Sequence, residues 1–154
     1  MSLDIAIIGG LMGTIAAVLF LQVWEVARPL DDHLRVVSMI GSAFTQKSFG
    51  QQLIGRAVLF VVGICYGVFT SAVIYAFEVE DVAWFYGIIV SVLLWIFTGI
   101  TLTYFRLLHP LIRRGEMKAP GPFGIGYSRQ SAVLLLVAHL IFGLVCGLAY
   151  GSIG

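Results

Sequence analysis

Charged residues are spaced so that four long stretches of the chain contain none of them. No Asp, Glu, Lys or Arg occurs in residues 5–24, 57–77, 82–105 or 130–154. Each stretch reaches the roughly 20 residues that an α-helix needs to cross about 30 Å of hydrocarbon. Residues 57–77 are predominantly apolar on every face and lack the alternation of a transmembrane β-strand. The pattern therefore predicts four transmembrane helices.

These stretches define one domain over residues 1–154, an all-α polytopic membrane protein built as a four-transmembrane-helix bundle. The predicted helices cover about 5–27, 55–77, 82–106 and 130–152. Only helices or closed barrels satisfy their backbone hydrogen bonds in lipid, which supports a bundle.

The connection between the first two predicted helices also carries a pattern. Apolar or small residues recur there at helical spacing: Leu34, Val37, Ile40, Gly41 and Phe44. An interfacial amphipathic helix over 33–45 would give this spacing. A loop packed under the bundle explains it equally well, and the sequence leaves both open.

Composition supports the membrane assignment and removes other classes. The chain is 60% hydrophobic and 11% charged, with a formal net charge of +1. A soluble domain carries about 25% charged residues, so a water-soluble globule is excluded. Disorder requires low hydrophobicity, and a strongly basic nucleic-acid binder requires far more positive charge. The expected partner is the lipid bilayer, and no nucleic acid is expected.

The basic residues predict the orientation of the bundle. All nine Lys and Arg fall in the first and third connections or at their edges, between Arg28 and Arg56 and between Arg106 and Arg129. Because cytoplasmic loops are enriched in Lys and Arg, we expect both long connections in the cytoplasm and the N- and C-termini outside.

The two halves of the chain resemble each other weakly. The first predicted helix leads into Arg28-Pro29-Leu30, and the third leads into His109-Pro110-Leu111. Two hairpins of the same orientation would form a parallel repeat about an axis along the membrane normal. Shared composition of unrelated membrane helices is the alternative explanation.

Small residues repeat every four positions in each predicted helix, which is typical of faces where membrane helices pack closely. The glycines concerned are Gly9, Gly13, Gly63, Gly67, Gly87, Gly99, Gly143, Gly147 and Gly151. The first interpretation is packing within one bundle. The second is that one of these small-residue faces, which we call a glycine ladder, points outward and docks another membrane subunit.

His139 is the one histidine within a predicted span, about 15 Å past Arg129 and near the bilayer midplane. An ionisable residue at that depth is a functional hypothesis. Counting from the cytoplasmic ends places four residues level with it: Thr14, Tyr66, Trp95 and Thr98. A neutral imidazole bonded to Tyr66 or a threonine hydroxyl would join the second and fourth helices. The alternative is a binding site at His139 and Tyr66 for haem, a chlorophyll-type macrocycle or a quinone.

The last helix resembles a signature of small, uncharacterised prokaryotic four-helix integral membrane proteins. The residues concerned are His139, the pair Phe142-Gly143, Gly147 and the pair Tyr150-Gly151. The glycine-rich first helix, Met39 to Ser42 and Pro120-Gly121-Pro122 look similar as well. The resemblance implies the four-helix topology in a prokaryotic plasma (inner) membrane and no established activity. That family would carry a histidine-aromatic pair at Arg56-Ala57, so a paired-histidine cofactor site is not implied here.

Catalytic signatures are missing from the sequence. It contains no nucleophile triad, zinc spacing, phosphate loop or carboxylate pair, and the one acid within a predicted span, Glu25, lies near its inner end. We therefore expect no enzyme and no metal site. The expectation is a non-catalytic accessory or structural subunit of a larger membrane complex, such as one of respiratory or photosynthetic electron transport. The alternatives are a small-molecule or cofactor binder centred on His139, and a small channel or transporter.

Overall fold

The chain folds into a bundle of α-helices. A computed structural model describes residues 2–28 and 34–153, and that part of the chain contains no strand. The four long helices are α1 (Leu3–Ala27), α3 (Ser48–Ala76), α4 (Ala83–Leu108) and α6 (Arg129–Ile153). All four are long and apolar enough to cross a membrane. The predicted all-α, four-helix membrane fold is confirmed.

Short elements close the two ends of the bundle. A 3₁₀ turn, Glu80–Val82, joins α3 to α4 at the end of the bundle where α1 begins and α6 ends. We call this the acidic end, because Asp4, Glu78, Glu80 and Asp81 lie there. The opposite end, called the basic end, holds helix α2 (Val36–Ser42), helix α5 (Pro110–Arg113) and a second 3₁₀ turn, Pro122–Gly124.

The second long helix begins earlier than predicted. It starts at Ser48 rather than near 55, because its first turns pack against α2 instead of ending at the membrane surface. A Cβ on Gly55 would overlap the carbonyl oxygen of Val37, so the two backbones touch. Helix α2 occupies only part of the predicted 33–45 segment and lies at the basic end of the bundle. Its Val37 is buried, whereas Phe44 beyond its end is exposed.

Helix α1 lies between α3 and α6 because it carries two small-residue faces. Gly9 and Gly13 face Cys146 and Phe142 of α6. Gly10, one residue along, faces the backbone of α3 at Gly63 and Gly67 instead. The ladder noted in the sequence therefore describes one of the two faces of α1.

Helices α4 and α6 pack through a second close crossing. Gly87 and Gly143 meet there, and a Cβ on either would overlap the other's carbonyl oxygen. Gly147 lies against Ala83, and Gly151 lies next to Glu80.

Packing between α3 and α4 is sparse. A parallel repeat about a twofold axis would require α3 and α4 to pack as tightly as α1 and α6 do. The small faces of α3 and α4 are already turned towards α1 and α6, so this pair stays apart. The bundle is therefore asymmetric. Pro29 and Leu30, which supported the predicted repeat, lie outside the described residues.

Candidate functional site: an apolar cavity inside the bundle

The gap between α3 and α4 opens into a cavity of about 440 Å³. All four long helices and α2 contribute to its wall, and most of the lining side chains are apolar. This volume lies within the roughly 300–1,000 Å³ of small-molecule sites. None of the described lining residues carries a charge, so the cavity suits an uncharged molecule.

Three polar side chains form a connected group on the cavity wall. The hydroxyl of Tyr66 lies 3.0 Å from the Oγ1 atom of Thr98. The same Oγ1 atom lies 3.1 Å from Nε2 of His139. All three side chains are partly buried and line the cavity. They come from α3, α4 and α6, so the group joins three helices, whereas the sequence predicted a link between two.

The direction of these hydrogen bonds follows from the backbone. Nδ1 of His139 lies 2.7 Å from the carbonyl oxygen of Leu135, which can only accept, so Nδ1 carries a proton. No described residue lining the cavity is a carboxylate that could balance an imidazolium, so the ring is neutral and Nε2 is bare. Nε2 therefore accepts from Thr98, and Thr98 accepts from Tyr66.

Apolar clusters close the bundle at its two ends, and the cluster at the basic end also forms part of the cavity wall. At the acidic end, Ile5, Ile74, Ala83 and Tyr150 form a buried cluster. At the basic end, the buried cluster consists of Leu34, Met39, Leu102 and Leu135. Within the described residues, access along the bundle axis is therefore blocked by packed side chains.

The cavity opens sideways instead. Val61 of α3 is 63% exposed and Phe97 of α4 is 60% exposed, and both line the cavity. The mouth therefore lies between these two helices, on the surface that faces lipid when the bundle spans a membrane. A molecule dissolved in the hydrocarbon could enter without crossing water.

A loop at the basic end inserts an aromatic ring against α4. Phe123 has a left-handed backbone, with φ 53° and ψ 14°, and glycines Gly121 and Gly124 on either side also have positive φ. Its ring centroid lies 4.5 Å from that of Trp95, and its ring occupies the space that a Cβ on Gly99 would take. Gly99 thus packs against a loop residue rather than against another helix.

His109 forms a second buried polar contact at the basic end. It is 2% exposed, and its Nε2 atom lies 2.9 Å from the carbonyl oxygen of Met39 and 3.3 Å from the hydroxyl of Ser42. Nε2 therefore donates to Met39 and ties the end of α4 to α2. His109 lies beyond the third predicted helix, and its sequence context predicts no role for it. His33 lies outside the described residues.

The residues that depth counting placed level with His139 divide into two groups. Tyr66 and Thr98 join the histidine, as described above. Thr14 instead donates to the carbonyl oxygen of Gly10 in its own helix, at 2.7 Å. Trp95 packs against Phe123, with the two ring planes tilted by 44°. Depth gives the level of a residue but not the face of the helix on which it lies, so it could not separate the two groups.

Comparisons with protein-family models, with curated proteins and with solved structures found no significant match to this chain. The resemblance to small prokaryotic four-helix membrane proteins stays a prediction from the quoted residues.

Proposed function

We propose that this chain binds an uncharged, largely apolar small molecule that is dissolved in the lipid bilayer. The observation that carries the proposal is the cavity itself, which opens to the lipid-facing surface and has a connected polar group, formed by Tyr66, Thr98 and His139, on a largely apolar wall. Binding sites for small molecules commonly combine an apolar lining with a few convergent polar atoms that fix orientation.

The depth of the polar group favours neutral ligands over phospholipid headgroups. His139 lies about ten residues inside the span, near the middle of the bilayer. A phosphate at that depth would require a buried cationic partner, and none of the described lining residues is charged. A neutral molecule with one hydroxyl or carbonyl group meets no such penalty.

The geometry of this site favours a ligand held by hydrogen bonds over haem or a chlorophyll-type ligand. A metal would have to bind Nε2 of His139, because Nδ1 is bonded to Leu135. Nε2 already accepts from Thr98 at 3.1 Å, so a macrocycle would have to displace that hydroxyl. A quinone or quinol fits between the helices without breaking the bond to His139.

A cavity-filling substitution tests the proposal. Val62 lines the cavity, and the Val62→Trp side chain would occupy part of it. Val133 on α6 is 60% exposed and outside the lining, so Val133→Trp is the matched control. Neutral lipids extracted from each purified protein are quantified by mass spectrometry. We expect a bound species in the parent and the control that is lost in Val62→Trp; identical lipid profiles in all three proteins would overturn the proposal.

An accessory role in a larger membrane complex remains a separate prediction. The glycine ladders that suggested a docking face pack against this chain's own residues, so a partner would have to use another surface. The exposed apolar belt, including Leu19, Leu93 and Phe69, is where such a partner would bind. Native mass spectrometry in mild detergent tests this role, and a lone monomer would count against it.

The plasma membrane of a prokaryote, with the basic end in the cytoplasm, is the proposed location. It is supported by the segregation of all nine Lys and Arg to the part of the chain that leads into or forms the basic end. Both termini would then lie outside.

A channel or transporter is the remaining alternative, and the packed clusters at both ends of the bundle do not favour it. We expect no flux in liposomes.

A further inference from the structure

We infer that the ligand of this cavity is a hydrogen-bond donor: a lipophilic alcohol or phenol whose hydroxyl binds at Tyr66. The inference rests on the proposed binding function and adds the chemical class of the ligand. It follows from the direction of the hydrogen bonds among Tyr66, Thr98 and His139.

The three side chains contain three hydrogens able to make strong hydrogen bonds, and each already has an acceptor. Nδ1–H of His139 donates to the carbonyl of Leu135. The hydroxyl of Thr98 donates to Nε2, which is the only arrangement open to a bare imidazole nitrogen. The hydroxyl of Tyr66 then has to donate to Thr98, because the single hydrogen of Thr98 is used.

These three side chains have no hydrogen left to donate, but they can still accept hydrogen bonds. A phenolic oxygen that donates once can still accept, and so can the threonine oxygen. The Tyr66 side chain is partly exposed and lines the cavity, so its oxygen is the acceptor offered to a ligand. A ligand hydroxyl can add to this chain of bonds without breaking any of them.

A ligand that can only accept meets a different situation. To bind a quinone, ketone or ether oxygen, Tyr66 has to turn its hydrogen away from Thr98. The complex then gains one hydrogen bond and loses another, whereas a hydroxyl ligand gains one and loses none. Since one hydrogen bond contributes about 1 kcal/mol net, the difference corresponds to roughly five- to tenfold in affinity.

Two natural sources supply such a donor: an aliphatic lipid alcohol and the hydroquinone form of a lipid-soluble quinone. Both present a neutral hydroxyl on an apolar body, which matches the uncharged lining. The site would then favour a hydroquinone over the corresponding quinone, because the quinone carries only acceptor oxygens.

Competition for a photoreactive probe tests the inference with the full-length purified chain in lipid nanodiscs. The probe is dodecanol with a diazirine in its chain. The competitors are 1-dodecanol and its methyl ether, and decylhydroquinone and decylbenzoquinone. We expect the hydroxyl compound of at least one pair to displace the probe at roughly five- to tenfold lower concentration than its partner, and the pair that does so identifies the source.

Tyr66→Phe keeps the ring and removes the acceptor oxygen, so we expect the preference for the hydroxyl compound to fall towards one. Tyr104 is an exposed tyrosine of α4 outside the cavity, and Tyr104→Phe is expected to leave the preference unchanged. Equal potency within both pairs, or an unchanged preference in Tyr66→Phe, overturns the inference while leaving the binding function intact. Failure of every competitor to displace the probe overturns the binding function itself.

Discussion

The Oγ1 atom of Thr98 lies 3.1 Å from Nε2 of His139 and also accepts from Tyr66, so one hydroxyl connects α3, α4 and α6. Replacing it with the isosteric valine leaves both neighbours without their partner. We expect Thr98→Val to lower the free energy of unfolding by about 1 kcal/mol, the usual size for polar contacts between membrane helices. Titration from mild detergent into dodecyl sulfate, followed by circular dichroism, measures this change.

Thr101→Val is the control for that measurement. The hydroxyl of Thr101 donates at 2.8 Å to the carbonyl of Phe97 in its own helix and, among the residues that the structure describes, bonds to no other element. The control substitution should change stability by only a few tenths of a kcal/mol. If both variants unfold at the same detergent fraction, Thr98 does not hold the three helices together.

The crossing of α4 and α6 leaves no room for a methyl group. A Cβ on Gly143 would overlap the carbonyl of Gly87 and lie 2.5 Å from the Cβ of Ser91. Since backbone cannot move aside as a flexible side chain does, we expect Gly143→Ala to destabilise the bundle by about 1–3 kcal/mol. The same detergent titration measures this loss.

Gly9→Ala provides the comparison within another ladder. Its Cβ would lie 3.3 Å from the carbonyl oxygen of Cys146, which a shift of a few tenths of an ångström relieves. The better helix propensity of alanine offsets part of the cost. We therefore expect Gly9→Ala to be close to neutral, and equal losses in the two variants would show that the α4–α6 crossing is not the tighter one.

The number and type of the helices could be predicted because the constraint on them is simple. Uncharged stretches such as 82–105 are long enough to span lipid, and the helices observed cover them. The start of α3 was missed, since residues 48–54 are polar enough to be read as a loop. They are helical because α2 packs against them, and this tertiary contact leaves no local pattern.

The candidate site could be predicted only in part. Depth alone singled out His139, with Tyr66 and Thr98 among the residues at its level. The central role of Thr98 depends on which face of α4 turns inward, and that face is set by the Gly87–Gly143 crossing. The cavity exists because α3 and α4 do not pack closely, and no sequence motif predicts that separation.

The orientation of the bundle gives a labelling experiment. Ile125 is exposed at the basic end and Ser152 is exposed at the acidic end. A maleimide that cannot cross membranes should label Ser152→Cys on intact cells and Ile125→Cys only after permeabilisation. The native Cys65 and Cys146 lie within spanning helices and provide a low background in the unsubstituted chain. Labelling in the reverse order would invert the proposed topology.

The contact between Gly99 and Phe123 gives a test of energetic coupling. A Cβ on Gly99 would overlap the Phe123 ring, so we expect Gly99→Ala to expel the ring and destabilise the protein by about 1–3 kcal/mol. Phe123→Ala removes the same packing directly. Because both substitutions disrupt one contact, the double variant should lose at least 0.5 kcal/mol less than the two single losses combined. Trp95, whose ring centroid is 4.5 Å from that of Phe123, should report the change by fluorescence. Strictly additive losses with unchanged tryptophan emission would mean that the loop does not pack against α4.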